Sequence, residues 1–583
     1  MFLVIYLQNQ RLMANHLFRK KNIQTILRDA QEGLSDSEGH RTDLKRVLRV
    51  RDLTFLGIAA VIGTGVFTAI GSASFHGGPA VILLFGFTAI ACSFAAYCYA
   101  EFASTIPVSG SAYTYSYVSF GEIFAWIIGW DLLMEYAIGN IAVAISWSQY
   151  FVRVLAGFNM HVPEWMTIDY FTAHHGFNQA TEQLAHGTAF TSLDQGLQAM
   201  YNAWQHAPML GSVRIIMDIP AFFIVVVITY IVYVGIRESR TANNVMVLIK
   251  LAIILLVIIA GAFYVSPGNW SPFMPNGFNG VMSGVSAVFF AYIGFDAIST
   301  TAEECKDPQR DLPKAMFYTL FICTALYIVL VLVLTGMTNY SKLNVADPLA
   351  FVFQDQHSRL GNALSGIISV SAIIVIASVL LVYQLGQPRI WMSMSRDGLL
   401  PPIFARIHPK FKTPSFSTIL TGLVVGIPAL FLNLDVVIAL TSIGTLFAFV
   451  LVCGGVLILE RQPNRPESKF KVPYLNGKYI VPLVLLLALA LVFWEVPGYY
   501  RSLFRKEGLP MLVFFIVAIV VAIYTFLKNF SLIPVLGLLS CFYLMAQESH
   551  TNWYRFLIWL VIGLVIYFSY GRWNSRLAKQ DVM

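Results

Sequence analysis

Apolar runs of about 20 residues recur along almost the whole chain and are separated by short polar segments. A helix of that length crosses the hydrocarbon core of a bilayer, so the pattern predicts about fourteen transmembrane spans. In chain order, the predicted spans cover residues 53–74, 79–103, 113–153, 215–236, 241–265, 280–301, 313–337, 362–395, 416–433, 436–459, 478–496, 510–527, 530–547 and 553–571. The pattern therefore predicts an all-α polytopic membrane protein.

The third apolar run is too long for a single straight helix. It is either one projecting helix with kinks near Gly121, Gly129 and Gly139 or two separate spans. The charges in the flanking loops favour one span.

Composition agrees with this class of protein. Of the 583 residues, 57% are hydrophobic and 12% are charged, whereas soluble domains have roughly half and a quarter. The mean hydropathy is +0.68. The net charge of +7 does not indicate a nucleic-acid partner, because the basic residues gather in the N-terminal segment and in alternate loops. Such a distribution is typical of membrane topology.

The basic residues predict which loops face the cytoplasm. Between Arg153 and Arg214 there is no Lys or Arg, and this stretch holds five of the eleven histidines, so we expect the insert 156–213 to be external. The N-terminal segment 1–52 and the linker 460–477 are rich in Lys and Arg and should be cytoplasmic.

An even number of spans returns the tail 572–583 to the cytoplasm as well. Its basic residues agree, although Arg501, Arg505 and Lys506 fall in a loop that this count places outside. We therefore expect a multi-pass protein of the cell (inner) membrane with both termini in the cytoplasm. No cleavable targeting segment is evident, and translation could start at Met1 or Met13.

Glycines interrupt two of the predicted spans where a membrane helix should be continuous. The first interruption lies in residues 57–67 of span 1, and the second lies in residues 289–299 of span 6. In hydrocarbon an unpaired peptide group is costly, so a helix breaks there only if the freed groups face a cavity or a ligand. Breaks in corresponding positions of two halves indicate the substrate site of a transporter.

An internal repeat supports the correspondence. Aligning residues 57–67 with residues 284–295 gives a shared order of glycine, small residues and then glycine followed by an aromatic residue. The match is weak by itself, but five spans separate the two breaks, which puts span 6 in the opposite orientation to span 1. This arrangement is typical of inverted-repeat transporters.

The spans and the repeat divide the chain into segments. These are a cytoplasmic N-terminal segment with an amphipathic helix (1–52), a first repeat of spans 1 to 5 (53–265), a second, inverted repeat of spans 6 to 10 (280–459), a linker (460–477), accessory spans 11 to 14 (478–571) and a tail (572–583).

The breaks suit a zwitterion. If span 1 unwinds around Gly63, Thr64 and Gly65, the free N–H groups at the start of its outer half carry the positive end of the helix dipole and suit a carboxylate. Carbonyls at the end of the inner half, with those of span 6, could accept bonds from an ammonium group. The alternative is that Gly63 and Gly65 only allow two helices to pack closely.

Ionisable residues inside spans are functional candidates. Lys250 lies about 10 Å along its helix from Asn243, and burial disfavours the charged form of an amine, so Lys250 could load and release a proton. It could instead be a structural lysine bonded to carbonyls. Asp131 and Glu135 share a helix face and could pair with Lys250, form a polar pathway or be structural. Asp296 could cap a half-helix or attract a cationic side chain.

Several motifs resemble the amino acid, polyamine and organocation transporter superfamily. Those that carry this resemblance are residues 62–67 (Ile-Gly-Thr-Gly-Val-Phe), 99–115 and 290–299. Within the superfamily, residues 301–314 and 393–401, with the fourteen spans, look like the cationic amino acid transporter group. The likeness runs from residue 17 to about residue 528.

The resemblance implies a core of two inverted five-helix repeats that moves substrate by alternating access. It implies proton coupling at Lys250, a gate at Phe290 and a side-chain pocket at Ile376. Residues implied to lie against the substrate are Val61, Thr64, Gly65, Phe290, Ala291 and Ile293. The insert is longer and richer in histidine than the family pattern.

These observations predict proton-coupled uptake of an L-amino acid, either cationic or small and neutral, with Gly63 and Asp296 also at the substrate and Glu135 also on the proton path. An exchanger of the same fold and a sensor that binds without transport are the alternatives. An enzyme is disfavoured because His76, His357, His408 and His550 are expected in loops and the other histidines lie in the N-terminal segment or the external insert, and no cofactor or metal is expected. The sequence does not determine whether a small membrane regulatory subunit is present.

Overall fold

A computed structural model describes residues 18–21, 34–35, 41–42, 48–106, 111–193, 195–235, 240–345, 347–411, 413–461, 468–495 and 499–580. The predicted amphipathic helix of the N-terminal segment and the two candidate start residues lie outside the described residues, apart from residues 18–21.

The described chain is built almost wholly from helices. The α-helices are α1 Val50–Val61, α2 Ile70–Gly77, α3 Val81–Thr105, α4 Ser111–Ser119, α5 Glu122–Gly157, α6 Tyr170–Ala185, α7 Gln195–His206, α8 Ile219–Val234, α9 Arg240–Ala262, α10 Gly277–Met282, α11 Val285–Phe290, α12 Pro308–Met337, α13 Pro348–Gln354, α14 Arg359–Arg396, α15 Ser415–Ala429, α16 Leu434–Leu459, α17 Ile480–Glu495, α18 Tyr499–Leu503, α19 Leu509–Lys528, α20 Leu532–Ala546, α21 His550–Ile566, α22 Arg572–Asn574 and α23 Arg576–Gln580. Two antiparallel hairpins pair β1 Leu34–Ser35 with β2 Arg41–Thr42 and β3 Met209–Leu210 with β4 Val213–Arg214.

Many of these helices are apolar enough to cross a membrane. Within the described residues, nine helical segments have the length and composition of a membrane span, and four shorter apolar helices accompany them. Large apolar side chains such as Phe321, Leu491 and Val565 are exposed on the outside, as in a surface that faces lipid. The protein is therefore a polytopic all-helical membrane protein, while the count of fourteen spans stays a prediction.

The third apolar run divides at Gly121, and it does not kink at the other two predicted glycines. Helix α4 ends at Ser119, and Gly121 has a φ of +102° that favours glycine. A Cβ there would also come within 2.7 Å of the Phe18 backbone. Helix α5 then runs through Gly129 and Gly139 without interruption. Only α5 is long enough to span, since α4 has nine residues.

The long helices pack in pairs. Helix α5 packs along α14, α8 packs against α15, and α12 packs against both α1 and α3. A buried bond between Asn140 on α5 and Gln384 on α14 joins the first pair, and Gln384 donates in turn to Thr229 on α8 at 2.7 Å. These helices form one connected block beside the broken span 1. The division into two inverted repeats stays a prediction.

The insert folds as a small helical unit at one end of the bundle, which we call the insert face. Helices α6 and α7 bury Ala173 and Ala203 against each other with Trp204 at their edge. The unit is held to the bundle where Asn433 donates to Thr172 at 2.6 Å. The opposite end, the terminal face, carries α23, where the amide of Arg576 donates to the carbonyl of Asp397 at 3.0 Å.

Candidate functional site

Span 1 is interrupted where the sequence predicts. Helix α1 ends at Val61, and Ile62 adopts an extended conformation with φ −77° and ψ 97°. The chain resumes as a π-helical turn, Gly65–Ala69, that continues into α2. The interruption itself is short, because the carbonyl of Gly63 already accepts from the amides of Val66 and Phe67 at 3.1 and 3.2 Å.

Polar groups at this break have no partner within the protein. Within the described part of the chain, the amides of Gly63, Thr64 and Gly65 donate to no backbone or side-chain acceptor. The Thr64 hydroxyl is buried and also lacks a partner there. Buried donors are almost always satisfied, and these lie at the N-terminal, positive end of the outer half of span 1. They suit an anionic group.

Span 6 is interrupted as well, but its inner half differs from expectation. Helix α11 ends at Phe290, and Gly294 is left-handed with φ +115°. A side chain at Gly294 would bring a Cβ within 3.0 Å of the Ala60 backbone, so both conformation and space favour glycine. After the break the chain continues as a 3₁₀ helix, Phe295–Glu304, and not as the expected half α-helix.

The break in span 6 exposes acceptors. Among the described residues, the carbonyls of Phe290, Ala291 and Ile293 accept no backbone hydrogen bond. Their neighbour Tyr292 does bond, because its amide donates to the carbonyl of Phe289 at 2.8 Å. Free carbonyls of this kind can accept hydrogen bonds from an ammonium group.

The two breaks touch each other. A Cβ on Gly65 would come within 2.4 Å of the Ala291 Cα, so the unwound part of span 1 lies directly against span 6. A Cβ on Gly63 would come within 3.0 Å of Val379 Cγ2 on α14. Val379 is not among the residues predicted from the sequence; the predicted Ile376 lies one helical turn before it on the same helix, and both are buried.

The predicted substrate residues are all closed to solvent. Residues Val61, Thr64, Phe290, Ala291, Ile293, Asp296 and Ile376 are buried, as are Gly63 and Gly65. The predicted gate, Phe290, is the last residue of α11 and borders the break. The structure therefore has the candidate site in a closed arrangement.

Lys250 reaches the break in span 1 from α9. Its side chain is only 1% exposed, and Nζ donates to the carbonyl of Ala59 at 2.7 Å. That carbonyl lies in the last turn of α1, where the helix ends and cannot satisfy it. Within the described residues no carboxylate is within ion-pair distance of Lys250, so the suggested pairing with Asp131 or Glu135 is not formed.

Helix α12 holds other carbonyls of α1, which sequence analysis did not foresee. The hydroxyl of Tyr327 donates to the carbonyl of Val61 at 3.2 Å. One face of α12 also carries Thr319, whose hydroxyl donates to the carbonyl of Thr54 at 3.3 Å. The carbonyls at the end of the inner half are therefore partly occupied, and not all free as expected. The spacing of eight residues on α12 could have indicated a shared face.

Asp296 lies in the first turn of the 3₁₀ helix Phe295–Glu304. Its carboxylate is close to the backbone amides of Gly294 and Ala297. A carboxylate is the expected cap for such a helix start. This geometry favours the capping interpretation over attraction of a cationic side chain.

Three carboxylates lie near one another in the core. Glu135 interacts electrostatically with Asp131 and Asp296 and lies near Thr445 on α16. Both Asp131 oxygens and one Glu135 oxygen lack a hydrogen-bond partner among the described residues. No basic residue in that part of the chain pairs with any of the three, and they are not placed to hold a metal ion. Unpaired buried charges are costly, so this cluster suits proton binding.

The chain is similar to known permeases over nearly its full length. Residues 48–521 match the family model described as amino acid permease, and residues 531–575 match the one described as the C-terminus of AA_permease.

Individual relatives differ in the substrates that their names give. The methylthioribose transporter of Bacillus subtilis (strain 168) is 39% identical over 97% of this chain and 99% of its own length. The branched-chain amino acid permease of the same organism is 37% identical over 97% of this chain and its full length. Cationic amino acid transporter 4 of Homo sapiens is 30% identical over 93% of this chain and 89% of its own length.

Proposed function

Since the chain belongs to the amino acid permease family, within the superfamily that its motifs resemble, we propose that it is a secondary transporter that takes up an L-amino acid together with protons by alternating access. The observation that carries this proposal is the contact between two broken membrane helices whose peptide groups lack partners. A multi-pass membrane protein with such breaks has the form of a transporter and not of an enzyme.

The free peptide groups support an α-amino acid as substrate. Three amides and the Thr64 hydroxyl on one side would donate to a carboxylate. Carbonyls of span 6 on the other side would accept from an ammonium group. The direct contact between Gly65 and Ala291 brings the two sets together. A zwitterion satisfies both sets at once, which removes the cost of leaving buried polar groups unpaired.

The surroundings of the breaks favour a neutral side chain over a cationic one. Val379, which lies against Gly63, is apolar, and so is Ile376 one turn before it. Asp296, which the sequence suggested as a partner for a cationic side chain, lies against backbone amides. A small, neutral amino acid would therefore lose less hydration in this pocket than arginine or lysine would.

The contact between Lys250 and Ala59 supports proton coupling. A protonated amine can donate to the carbonyl at the end of α1, and a neutral amine binds that carbonyl more weakly. Protonation would thus stabilise one position of the inner half of span 1 relative to another. The carboxylates of Asp131, Glu135 and Asp296 would provide further proton-binding positions deeper in the core.

A thermal-shift screen of the purified protein against the common amino acids tests the binding site, and uptake into proteoliposomes tests transport. We expect small neutral amino acids to stabilise the protein and to accumulate when the outside is acidic. Stabilisation by arginine or lysine alone would contradict the neutral pocket. Binding without accumulation would favour a sensor, and counterflow without dependence on a pH gradient would favour an exchanger.

A further inference from the structure

We propose that Glu548, in the turn between α20 and α21, is a positioning residue that holds the outer half of span 6 in its closed place. This proposal rests on the proposed transport function, because the held segment, α11, leads into the substrate break. It gives a role to the C-terminal matched segment 531–575, which lies outside the ten spans of the predicted core.

The contact is short and buried. Ser286 on α11 donates its hydroxyl to Glu548 Oε1 at 2.5 Å, and Asn552 donates to Oε2 at 3.3 Å. Glu548 is only 5% exposed. The carbonyl of Ser286 accepts in turn from the Ser442 hydroxyl on α16 at 2.8 Å. Ser286 is therefore held on two sides, by the turn at Glu548 and by α16.

Ser286 lies one helical turn from the substrate break. Helix α11 has six residues and ends at Phe290, four positions after Ser286. Ser286 and Phe290 are thus about 6 Å apart along the helix axis, so we expect a displacement of Ser286 to displace Phe290 and the carbonyls that follow it. Glu548 thereby acts on the candidate gate without touching the site.

Helix α21, which follows the turn at Glu548, is bonded to α5. The indole of Trp130 on α5 donates to the carbonyl of Trp559 at 2.9 Å, and the indole of Trp559 donates back to the carbonyl of Trp130 at 3.2 Å. Their rings stack with centroids 4.5 Å apart. Trp126 adds a bond to the carbonyl of Gly563 at 2.9 Å. These bonds fix α21 against α5, and they therefore also fix the turn at Glu548 that leads into α21.

The strength of the contact between Glu548 and Ser286 depends on whether Glu548 is protonated. Burial raises the pKa of Glu548 to about 7, although hydrogen bonds from Ser286 and Asn552 oppose the shift. Of the charged and titratable groups nearby, Arg555 donates to Asn552 at 3.0 Å and not to Glu548, and His550 begins α21. Since burial in the docked position raises this pKa above its ordinary 4.5 by more than the two hydrogen bonds lower it, docking favours the protonated acid, and the contact weakens as the pH rises through about 7.

Hydrogen exchange in lipid nanodiscs, without substrate, measures the contact directly. In Glu548→Ala we expect exchange of residues 277–290 to accelerate roughly threefold to tenfold, the effect of losing one or two hydrogen bonds. Glu548→Gln keeps the acceptor oxygen and should stay near the wild type. Glu507→Ala, an exposed acid in the turn before α19, is the matched control. Equal acceleration in α5 peptides would indicate general loosening and would overturn the proposal.

The dependence of the exchange rate on pH distinguishes a contact that depends on protonation of Glu548 from one that depends only on packing. We expect the wild-type exchange of residues 277–290, taken relative to Glu548→Gln at each pH, to rise between pH 6 and pH 8. A ratio that stays constant over this range would show that protonation of Glu548 does not affect the contact. An unchanged exchange rate in Glu548→Ala at pH 6 would show that the contact with Glu548 does not hold residues 277–290.

Transport assays complete the test. For Glu548→Ala and Ser286→Ala we expect a lower turnover per folded protein with little change in KM, because neither side chain touches the substrate. Glu548→Gln should restore turnover. If the wild type moves no amino acid, the proposed function fails, while the exchange measurements still decide whether Glu548 holds span 6. Normal turnover in both alanine variants would overturn the positioning role.

Discussion

The Nζ of Lys250 donates to the carbonyl of Ala59 across 2.7 Å, and thereby joins α9 to the end of the inner half of span 1. The end of a helix leaves carbonyls without partners, and in hydrocarbon such groups must find a donor. Lys250 is that donor for Ala59, so this bond is present only while the inner half of span 1 lies against α9. The proposed proton coupling would depend on this bond.

Replacing Lys250 with alanine tests that coupling. We expect Lys250→Ala to reduce uptake driven by a pH gradient to background while amino acid binding stays measurable by thermal shift, because the substrate contacts the breaks and not the amine. Lys410→Ala, at an exposed lysine on the terminal face, is the control. Gradient-driven accumulation at the wild-type level in Lys250→Ala would exclude a coupling role.

A side chain at Gly65 should separate the two breaks. A Cβ there would come within 2.4 Å of the Ala291 Cα, so Gly65→Leu forces span 1 away from span 6 and should eliminate thermal stabilisation by amino acids, because the two sets of free peptide groups no longer meet at one substrate. Gly65→Ala is the milder variant. Gly86→Ala is the matched control, because a Cβ at Gly86 meets no atom within 4 Å among the described residues. Amino acid stabilisation that survives in Gly65→Leu would count against the site.

The buried hydroxyl of Thr64 offers a finer test. Thr64→Val removes a hydrogen-bond donor and changes shape little, so affinity should fall by about tenfold, which corresponds to about 1.4 kcal/mol. The control is Thr421→Val, since Thr421 also has a buried hydroxyl without a partner in the described part of the chain but lies on α15, which packs against α5, α8 and α14. Equal affinities for the two variants would show that Thr64 does not bind the substrate.

Side-chain selectivity should depend on Val379. Val379→Ala enlarges the space beside Gly63, and filling a space of one or two methyl groups is worth about 1–3 kcal/mol. We therefore expect the ratio of affinities to shift toward amino acids with larger side chains, measured by competition for uptake. Val370→Ala, on the exposed side of the same helix, is the control. An unchanged ratio would place the side-chain pocket elsewhere.

Both helix breaks were predictable because their causes are local. Gly63, Gly65 and Gly294 interrupt runs that are otherwise apolar, and an interrupted helix in hydrocarbon needs a compensating role. The break at Gly121 was less predictable. It depends on a positive φ and on the Phe18 backbone, which comes from a segment about one hundred positions earlier.

The sequence by itself determined that this is a helical membrane protein and where two of its helices break, because length, apolarity and glycine act through neighbouring residues. Only the tertiary structure decided that Lys250 meets Ala59, that Val379 lies against Gly63, and that Glu548 accepts a hydrogen bond from Ser286. Such contacts join residues far apart along the chain and depend on how each helix is rotated and shifted against its neighbour. A membrane helix that is apolar on nearly every side leaves that rotation undetermined until the helices pack.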